Sequence, residues 1–326
     1  MSSPDSLNPP VPPVSARDKP RFGSDERKGA LAAAFQDQGE DYDRLRPGYP
    51  PAVLDAILAT VPGAEPRSAL PRRAIDLGAG TGKLSWALAE RGLDVTAVDT
   101  SRAMLETALR RGPSGGSADP TDSSGSLASA DLTVSSGSLA SAEPADSSGS
   151  ADAAGAALAA PRLATHVASA EDTGLPAASA ELVTVAQAWH WFDAQAASAE
   201  VTRLLTPGGT LALVWNMLDV TIPWVHRLSR IMHAGDIHRE DFSPTVGPGL
   251  ELLQRSVHQW EDPMPTPDVI DLAHTRSYVI TASEERRAKV LANLDWYLHE
   301  HLGHAPGSII GIPYRTDLFL YRPSAA

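Results

Sequence analysis

The sequence contains no cysteine among its 326 residues. This absence excludes disulfide bonds, thiolate zinc sites and thiol nucleophiles from the chemistry of the protein. Positive charge is also scarce, because 27 lysine and arginine residues face 40 acidic residues and the formal net charge is −13. Such a balance opposes the electrostatic attraction that drives binding to nucleic acid or to an anionic membrane. We therefore expect neither nucleic acid nor a membrane as a partner.

Long hydrophobic runs are missing as well. No stretch approaches the roughly 18 uncharged apolar residues of a membrane-spanning helix, and no basic segment followed by an apolar run lies near the N-terminus. We therefore expect an untargeted, cytoplasmic protein. Hydrophobic residues make up 42% of the chain, which is enough for a core of one large α/β domain with a cap, or of two domains.

Two segments have a composition that is unsuited to a packed core. Residues 1–24 are rich in proline and poor in apolar side chains, and we predict a disordered tail. Within residues 113–160, a unit of serine, glycine and alanine at Ser123–Asp131 recurs at Ser135–Glu143, with a period of twelve residues. This unit is too polar to stack as a repeat protein, which predicts a disordered insertion. The remainder, 25–326, is then one domain with an interruption, and we place a cap at about 217–310.

The most informative stretch of the sequence is Ala74–Leu84, which reads as a strand, a glycine turn and the start of a helix. Gly78, Gly80 and Gly82 occupy alternate positions, so the backbone can turn sharply and approach a ligand closely. A helix that follows would direct its N-terminal amides at that ligand. Asp99 closes the next predicted strand about twenty residues later, the separation at which a carboxylate reaches ribose hydroxyls. An aspartate at this position also caps the following helix in many proteins.

Two other glycine loops are excluded by their spacing. The dinucleotide pattern G-x-G-x-x-G requires a third glycine at the position of Lys83. The phosphate-binding P-loop requires glycine in place of Leu77 and a hydroxyl in place of Leu84. An acidic residue before G-x-G-x-G, followed by an acidic residue at the end of the next strand, resembles class I S-adenosylmethionine (SAM) methyltransferases. The chain is similar to the type 11-like group of that family.

This resemblance implies a Rossmann-like α/β fold, with a mostly parallel seven-stranded sheet and helices on both faces. It implies SAM as the cofactor, with the glycine turn, both aspartates and the ends of the third and fourth strands around it. Met104 would pack on the adenine, although a methionine in a helix more often belongs to the core. The residues expected to bind the cofactor are Asp76, Gly78, Gly80, Gly82, Asp99, Thr100, Met104, Ala170, Glu171 and Gln187.

Two further stretches resemble the trans-aconitate methyltransferase-like subgroup. The first is Tyr42–Pro50, in which Tyr42 and Arg46 share a helical face and would help to cover the active site. The second is Ala188–Phe192, which the fourth strand delivers to the carboxyl edge of the sheet, where such folds bind ligands. The resemblance implies a small-molecule methyl acceptor, with a carboxylate as one candidate. The expected acceptor contacts are Tyr42, Arg46, Trp189, Trp191 and Arg276.

His190 is the expected catalytic residue, because imidazole has an ordinary pKa near neutrality. For an alcohol or amine acceptor it would take a proton, whereas for a carboxylate it would only orient the acceptor. Packing between Trp189 and Trp191 alone is the structural alternative. We expect no metal site, since the histidines near His301 lack ligand spacing.

Three other functions are alternatives to a catalytic small-molecule methyltransferase. A non-catalytic SAM-binding regulator fits the cofactor motif equally well and differs only in lacking turnover. A nicotinamide-dependent oxidoreductase is disfavoured by Lys83. A nucleic-acid methyltransferase is disfavoured by the acidic composition and by the absence of an N-P-P-Y motif after the fourth strand.

Overall fold

The structure is a computed structural model that describes residues 43–61, 72–112, 162–235 and 237–324. The predicted N-terminal tail, the predicted insertion at 113–160 and Tyr42 lie outside the described residues. Within those residues, no helix is long and apolar enough to cross a membrane.

A seven-stranded sheet organises the molecule, in the spatial order β3-β2-β1-β4-β5-β7-β6. Parallel pairing joins the first five of these strands, and β7 runs antiparallel to both β5 and β6. The predicted seven-stranded, mostly parallel sheet is therefore confirmed. The strands are β1 (Arg73–Leu77), β2 (Asp94–Asp99), β3 (Arg162–Val167), β4 (Ala180–Ala186), β5 (Leu205–Leu218), β6 (Leu250–Pro265) and β7 (Ile309–Pro323).

The described helices cover the sheet and build the cap. They are α1 (Pro51–Leu58), α2 (Lys83–Ala89), α3 (Arg102–Arg111), α4 (Ala194–Leu204), α5 (Pro223–Ile231), α6 (Thr266–Asp271), α7 (Ser277–Ile280) and α8 (Glu284–Trp296). Short 3-10 turns occur at Trp189–Trp191 and Leu272–Thr275, and a π-helical turn at Tyr297–His301 follows α8.

The central strands β1, β4 and β5 are largely buried on both faces, which explains why they are rich in valine, leucine and isoleucine. On one face, α1 and α2 pack against Ala74, Leu182 and Val214. On the other face, α4 packs against residues of β1, β4 and β5. Helices therefore lie on both faces of the sheet, as expected.

Two helix starts are fixed by side-chain capping bonds. The Ser101 hydroxyl accepts a hydrogen bond from the Met104 amide at 3.3 Å, at the start of α3. The Asp193 carboxylate accepts bonds from the amides of Gln195 and Ala196, each at 2.9 Å, at the start of α4. These side chains satisfy amides that the first helical turn leaves unpaired.

The cap has its own hydrophobic core, built from α5, the helices between Thr266 and Leu298, and the strand ends beneath them. The region predicted as a cap, 217–310, also encloses β6, which is a strand of the sheet. That strand lies at the sheet edge and carries polar residues and two prolines, which edge strands tolerate, so its residues resemble those of a loop. The helical cap is consequently split in two, before and after β6.

The cap is carried by a two-stranded ribbon that extends past the rest of the sheet. The pairing of β5 with β7 ends at Leu218 and Tyr314. The pairing of β6 with β7 continues through Ile312 to Pro265 and Ile309. Because β6 is parallel to β5, this ribbon projects from the carboxyl edge of the sheet.

Candidate functional site

The strand order reverses between β1 and β4, and this position defines the candidate site. The chain moves from β1 outward to β2 and β3, and then returns to place β4 on the other side of β1. In open α/β sheets, the crevice outside the carboxyl ends of such strands is the usual ligand site. The glycine turn follows β1, and the aromatic turn Trp189–Trp191 comes shortly after β4, so both lie at this edge.

The glycine turn has a backbone conformation that side chains rarely adopt. The φ angles of Gly78, Gly80 and Gly82 are +67°, +55° and +75°. A Cβ at Gly78 would lie 2.6 Å from the Ala188 Cβ, and one at Gly82 would lie 2.8 Å from the Ala108 Cβ. A Cβ at Gly80 would have no atom within 4 Å. The outer two glycines are thus packed against protein, whereas Gly80 borders the open space of the crevice.

Asp99 is bound to this turn by its side chain. Its Oδ2 atom accepts a hydrogen bond from the Gly80 amide at 2.9 Å, and its Oδ1 atom accepts one from the Ser101 amide at 2.8 Å. Burial raises the pKa of Asp99, and the backbone amides of Ser101, Gly80 and Thr100 oppose that rise. The side chain is half-buried, and Thr100 beside it is exposed. The carboxylate is therefore held in place next to Gly80, with lone pairs left for a ligand.

Asp76 lies beneath the turn and is almost completely buried, with 1% exposure. Its carboxylate accepts hydrogen bonds from the Ser85 hydroxyl at 2.6 Å and from the Thr184 hydroxyl at 2.7 Å. Burial raises its pKa to about 6, although both hydroxyls lower it, and Asp99 adds to the rise. Asp76 thus joins β1, β4 and α2, and both of its carboxylate oxygens are bonded to protein, so its contacts support the turn. Its expected role in cofactor binding stays a prediction.

The residues expected near the adenine lie along the carboxyl ends of β2 and β3. Met104 is buried in the first turn of α3, and Ala170 is buried after β3. The half-buried Glu171 accepts a hydrogen bond from the Asp193 amide at 2.9 Å, which ties this loop to the start of α4. Met104 thus follows β2, and Ala170 and Glu171 follow β3, at the carboxyl edge of the sheet.

Gln187 is a strained residue at the end of β4. Its φ angle is +58°, which is rare for a residue other than glycine and typical of functional positions. Its side-chain amide donates to the Asn216 carbonyl at 2.6 Å, and its backbone amide donates to the Val214 carbonyl at 2.9 Å. This conformation redirects the chain into the turn that carries His190.

The three aromatic positions of that turn have different surroundings. Trp189 is buried at 4% exposure, and its indole nitrogen donates to the Thr245 carbonyl at 2.9 Å. His190 and Trp191 are half-buried, with their ring centroids 5.2 Å apart. Trp189 is therefore part of the core that supports the turn, whereas His190 and Trp191 lie nearer to solvent.

Residues 43–48, which we call the strap, bring Arg46 and Arg276 into the same neighbourhood. Arg46 Nη2 donates to the carbonyl of Thr275, the residue before Arg276, at 2.8 Å. Arg276 is buried at the start of α7. Of the expected acceptor contacts, Arg46 and Arg276 thus lie where the strap meets the cap.

Three polar residues of this region were not assigned from the sequence. Asn216 donates from its side-chain amide to the Gly48 carbonyl at 2.7 Å and accepts from the Thr316 hydroxyl at 2.6 Å. Asp43 is the first residue of the strap, and its Oδ1 atom lies 3.9 Å from the Nζ atom of Lys83. A polar residue at the end of the apolar run Leu211–Trp215 was the available signal for Asn216.

No metal centre is found within the part of the chain that the structure describes, since no group of three or more histidine and acidic side chains has a suitable arrangement there.

The sheet, the glycine turn and the two aspartates beside it, Asp76 and Asp99, together define the Rossmann-like, SAM-binding fold of class I methyltransferases.

Comparison with known proteins agrees with this class. Two family profiles, each described as a methyltransferase domain, match residues 74–154 and 146–213. The uncharacterized methyltransferase Rv3342 of Mycobacterium tuberculosis is 34% identical over 276 residues, which are 84% of this chain and 89% of that protein. The methyltransferase-like protein C25B8.10 of Schizosaccharomyces pombe is 27% identical, over 80% of this chain and 84% of its own length. The chain therefore belongs to the methyltransferase family.

A solved structure supports the fold independently. A protein assigned as a type II methyltransferase from Anaeromyxobacter dehalogenans has a TM-score of 0.53 and 24% identity, covering 85% of this chain and 96% of that chain. At this level of identity the likeness concerns the fold.

The glycine turn predicts a difference between substitutions that carry the same backbone penalty. Gly80→Ala should cost about 1–2 kcal/mol of folding free energy, because a side chain disfavours the left-handed region. Gly78→Ala should cost roughly 1–3 kcal/mol more, because its Cβ would also overlap Ala188. Urea unfolding of both variants measures the difference, and equal losses would contradict the packing of Gly78.

The buried carboxyl of Asp76 predicts a pH dependence of stability. Its pKa rises from 3.8 in the ordinary state to about 6 in the fold, so the native state keeps this proton longer than the unfolded chain. Its contribution to stability should therefore fall as pH rises from about 4 to 6, by roughly 3 kcal/mol. Asp76→Asn should remove that part of the slope, and Asp94→Asn serves as the control. Parallel profiles for wild type and Asp76→Asn, from unfolding at pH 4 to 7, would refute this assignment.

Proposed function

We propose that this protein is a SAM-dependent methyltransferase that acts on a small-molecule acceptor. The observation that carries the proposal is the open side of Gly80, next to the fixed carboxylate of Asp99, at the point where the strand order reverses. A nucleoside fits this arrangement, since backbone can approach it at Gly80 and Asp99 can accept hydrogen bonds from ribose hydroxyls. Membership of the methyltransferase family supports SAM as that nucleoside.

The residues of the crevice divide into cofactor and acceptor sides. Gly78, Gly80, Gly82, Asp99 and Thr100 would hold the ribose and amino-acid parts of SAM, above Asp76. Bound SAM supplies a methyl group on a positively charged sulfur. Met104, Ala170 and Glu171 would border the adenine, and Gln187 would lie at the boundary with the acceptor.

On the acceptor side, alignment is the main requirement, because methyl transfer is an in-line displacement. His190 can hydrogen-bond an acceptor, and it can take a proton from an alcohol or amine as the new bond forms. Arg46 and Arg276 can bind a carboxylate, either as the acceptor or as a second anionic group that orients it. Trp191 and Tyr42 would provide apolar contact, and Trp189 supports the turn.

Two features favour a small acceptor over a macromolecule. The net charge of −13 opposes binding to nucleic acid. The cap and the strap close over the carboxyl edge of the sheet, where the acceptor must lie. The likeness of residues 42–50 and 188–192 to the trans-aconitate methyltransferase-like subgroup supports a carboxylate as the first acceptor class to screen.

Calorimetric titration with S-adenosylhomocysteine, with NADH as a control ligand, tests the cofactor. Micromolar binding of the first ligand alone is expected. Asp99→Ala should weaken that binding at least tenfold, about 1.4 kcal/mol, because it removes the ribose acceptor. Asp94→Ala, at the opposite end of the same strand, is the matched control and should leave affinity unchanged. Unchanged affinity in Asp99→Ala would remove Asp99 from the cofactor site.

The role of His190 is tested by two substitutions, once turnover with a carboxylate, phenol or amine acceptor is found. His190→Ala should lower turnover while leaving S-adenosylhomocysteine affinity within about twofold. His190→Gln keeps hydrogen bonding but cannot act as a base, so it should retain turnover with a carboxylate and lose roughly 10²- to 10⁴-fold with an alcohol or amine. His258→Gln on β6 is the control. A loss of cofactor affinity without loss of turnover would place His190 on the cofactor side, and binding without any turnover would favour a regulatory protein.

A further inference from the structure

The strap is six residues long and contacts both the glycine turn and the cap. At its N-terminal end, Asp43 Oδ1 accepts hydrogen bonds from the Thr81 hydroxyl and from Arg111 Nη1, each at 2.8 Å. Thr81 lies between Gly80 and Gly82 in the turn, and it is buried at 4% exposure. Asp43 therefore contacts the glycine turn directly.

The rest of the strap is bound to the cap and to the sheet. Arg44 forms ion pairs with Asp268, and with Asp271 at 3.7 Å, both on α6. Leu45 is buried in the hydrophobic core of the cap, with 1% exposure. Together with the bonds from Arg46 to Thr275 and from Asn216 to Gly48, these contacts hold the strap against the cap side of the crevice.

A half-buried lysine lies close to Asp43. Lys83, in the first turn of α2, has its Nζ atom 3.9 Å from Asp43 Oδ1, and its side chain is 16% exposed. Burial lowers the pKa of Lys83 to about 8; Asp43 raises it, Arg111 lowers it, and Asp262 on β6 raises it. Burial likewise raises the pKa of Asp262, against the effect of Lys83. Asp43 of the strap thus has charged partners on α2 and α3, and Lys83 is also influenced by a charge on β6.

Because the cap residues and the glycine turn are bound to the same short segment, displacement of one is transmitted to the other through Asp43. We propose that Asp43 is a positioning residue that couples the glycine turn to the cap, so that cofactor binding and closure over the acceptor stabilise each other. This inference rests on the proposed function for the cofactor half of the coupling. Asp43 itself touches neither reacting group and acts through Thr81, Lys83 and Arg111.

The proposed coupling has a thermodynamic consequence for binding. Two sites that favour the same arrangement of a shared segment strengthen each other's binding, and the effect is reciprocal. Loss of the Asp43 attachment should therefore weaken cofactor binding although Asp43 does not contact the cofactor. It should also loosen the cap in the absence of any ligand.

The test compares wild type with Asp43→Asn, which keeps the shape and removes the charge, and with Asp43→Glu, which restores the charge. Asp55→Asn is the control. Asp55 is an exposed residue of α1 that lies outside the strap, and its Oδ1 atom is 3.8 Å from Arg91 Nε. S-adenosylhomocysteine affinity, measured by calorimetry, should fall about 5- to 20-fold in Asp43→Asn, recover in part in Asp43→Glu and stay within twofold in Asp55→Asn. Unchanged affinity in Asp43→Asn would overturn the coupling.

Hydrogen exchange of the ligand-free proteins separates this inference from the proposed function. Asp43→Asn should accelerate exchange in residues 44–50 and 266–276, with no change in β4, which reports intact folding. Faster exchange throughout the chain, or an unchanged exchange rate in residues 266–276, would overturn the positioning role. In wild type, S-adenosylhomocysteine should slow exchange in the glycine turn and in 266–276, and in Asp43→Asn only in the glycine turn. If wild type does not bind the ligand, the proposed function fails, while the ligand-free comparison still decides whether Asp43 holds the strap and cap together.

Discussion

The left-handed backbone at Gly78, Gly80 and Gly82 is the constraint on which the rest of the structure depends. It lets the chain leave a buried parallel strand and enter α2 within a few residues, with the open side at Gly80 facing the crevice. The outer glycines are also packing positions, because Ala188 and Ala108 come too close for any side chain there. The turn is therefore fixed by its neighbours, and the fourth strand and α3 must be in place before its geometry is complete.

Buried polar contacts transmit this order to the rest of the carboxyl edge. The carboxylate of Asp76 joins β1 to Thr184 of β4 and to Ser85 of α2, even though its burial raises the pKa of the group. Asn216 joins the end of β5 to the strap and to β7. Each contact replaces water around a polar group in the interior, so loss of one partner leaves the other unsatisfied. Such networks specify one arrangement of the edge at which ligands bind.

The glycine turn could be predicted from the sequence because it depends on the spacing of three nearby glycines, which is a local signal. The seven-stranded sheet was predicted through the family resemblance that this turn carries. The sequence did not predict β6, whose polar edge sequence resembles a loop. Nor did it identify Asp43, whose partners Thr81 and Arg111 are distant in sequence, or the strain at Gln187. The residues expected at the cofactor follow a motif, whereas those expected at the acceptor come from separate segments whose contacts only the fold reveals.

The ribbon formed by β6 and β7 has a consequence for how such a protein can diversify. The split cap joins the sheet through the end of β5 and through the two strands of the ribbon. Its helices can therefore be exchanged as modules at Leu218, Pro265 and Ile309 without changing the residues of the glycine turn. An exchanged cap must still accommodate Leu45 and the partners of Arg44 and Arg46. Under the proposed function, acceptor choice would therefore vary with the cap while the glycine turn stays the same, and the strap is the segment that must change together with the cap.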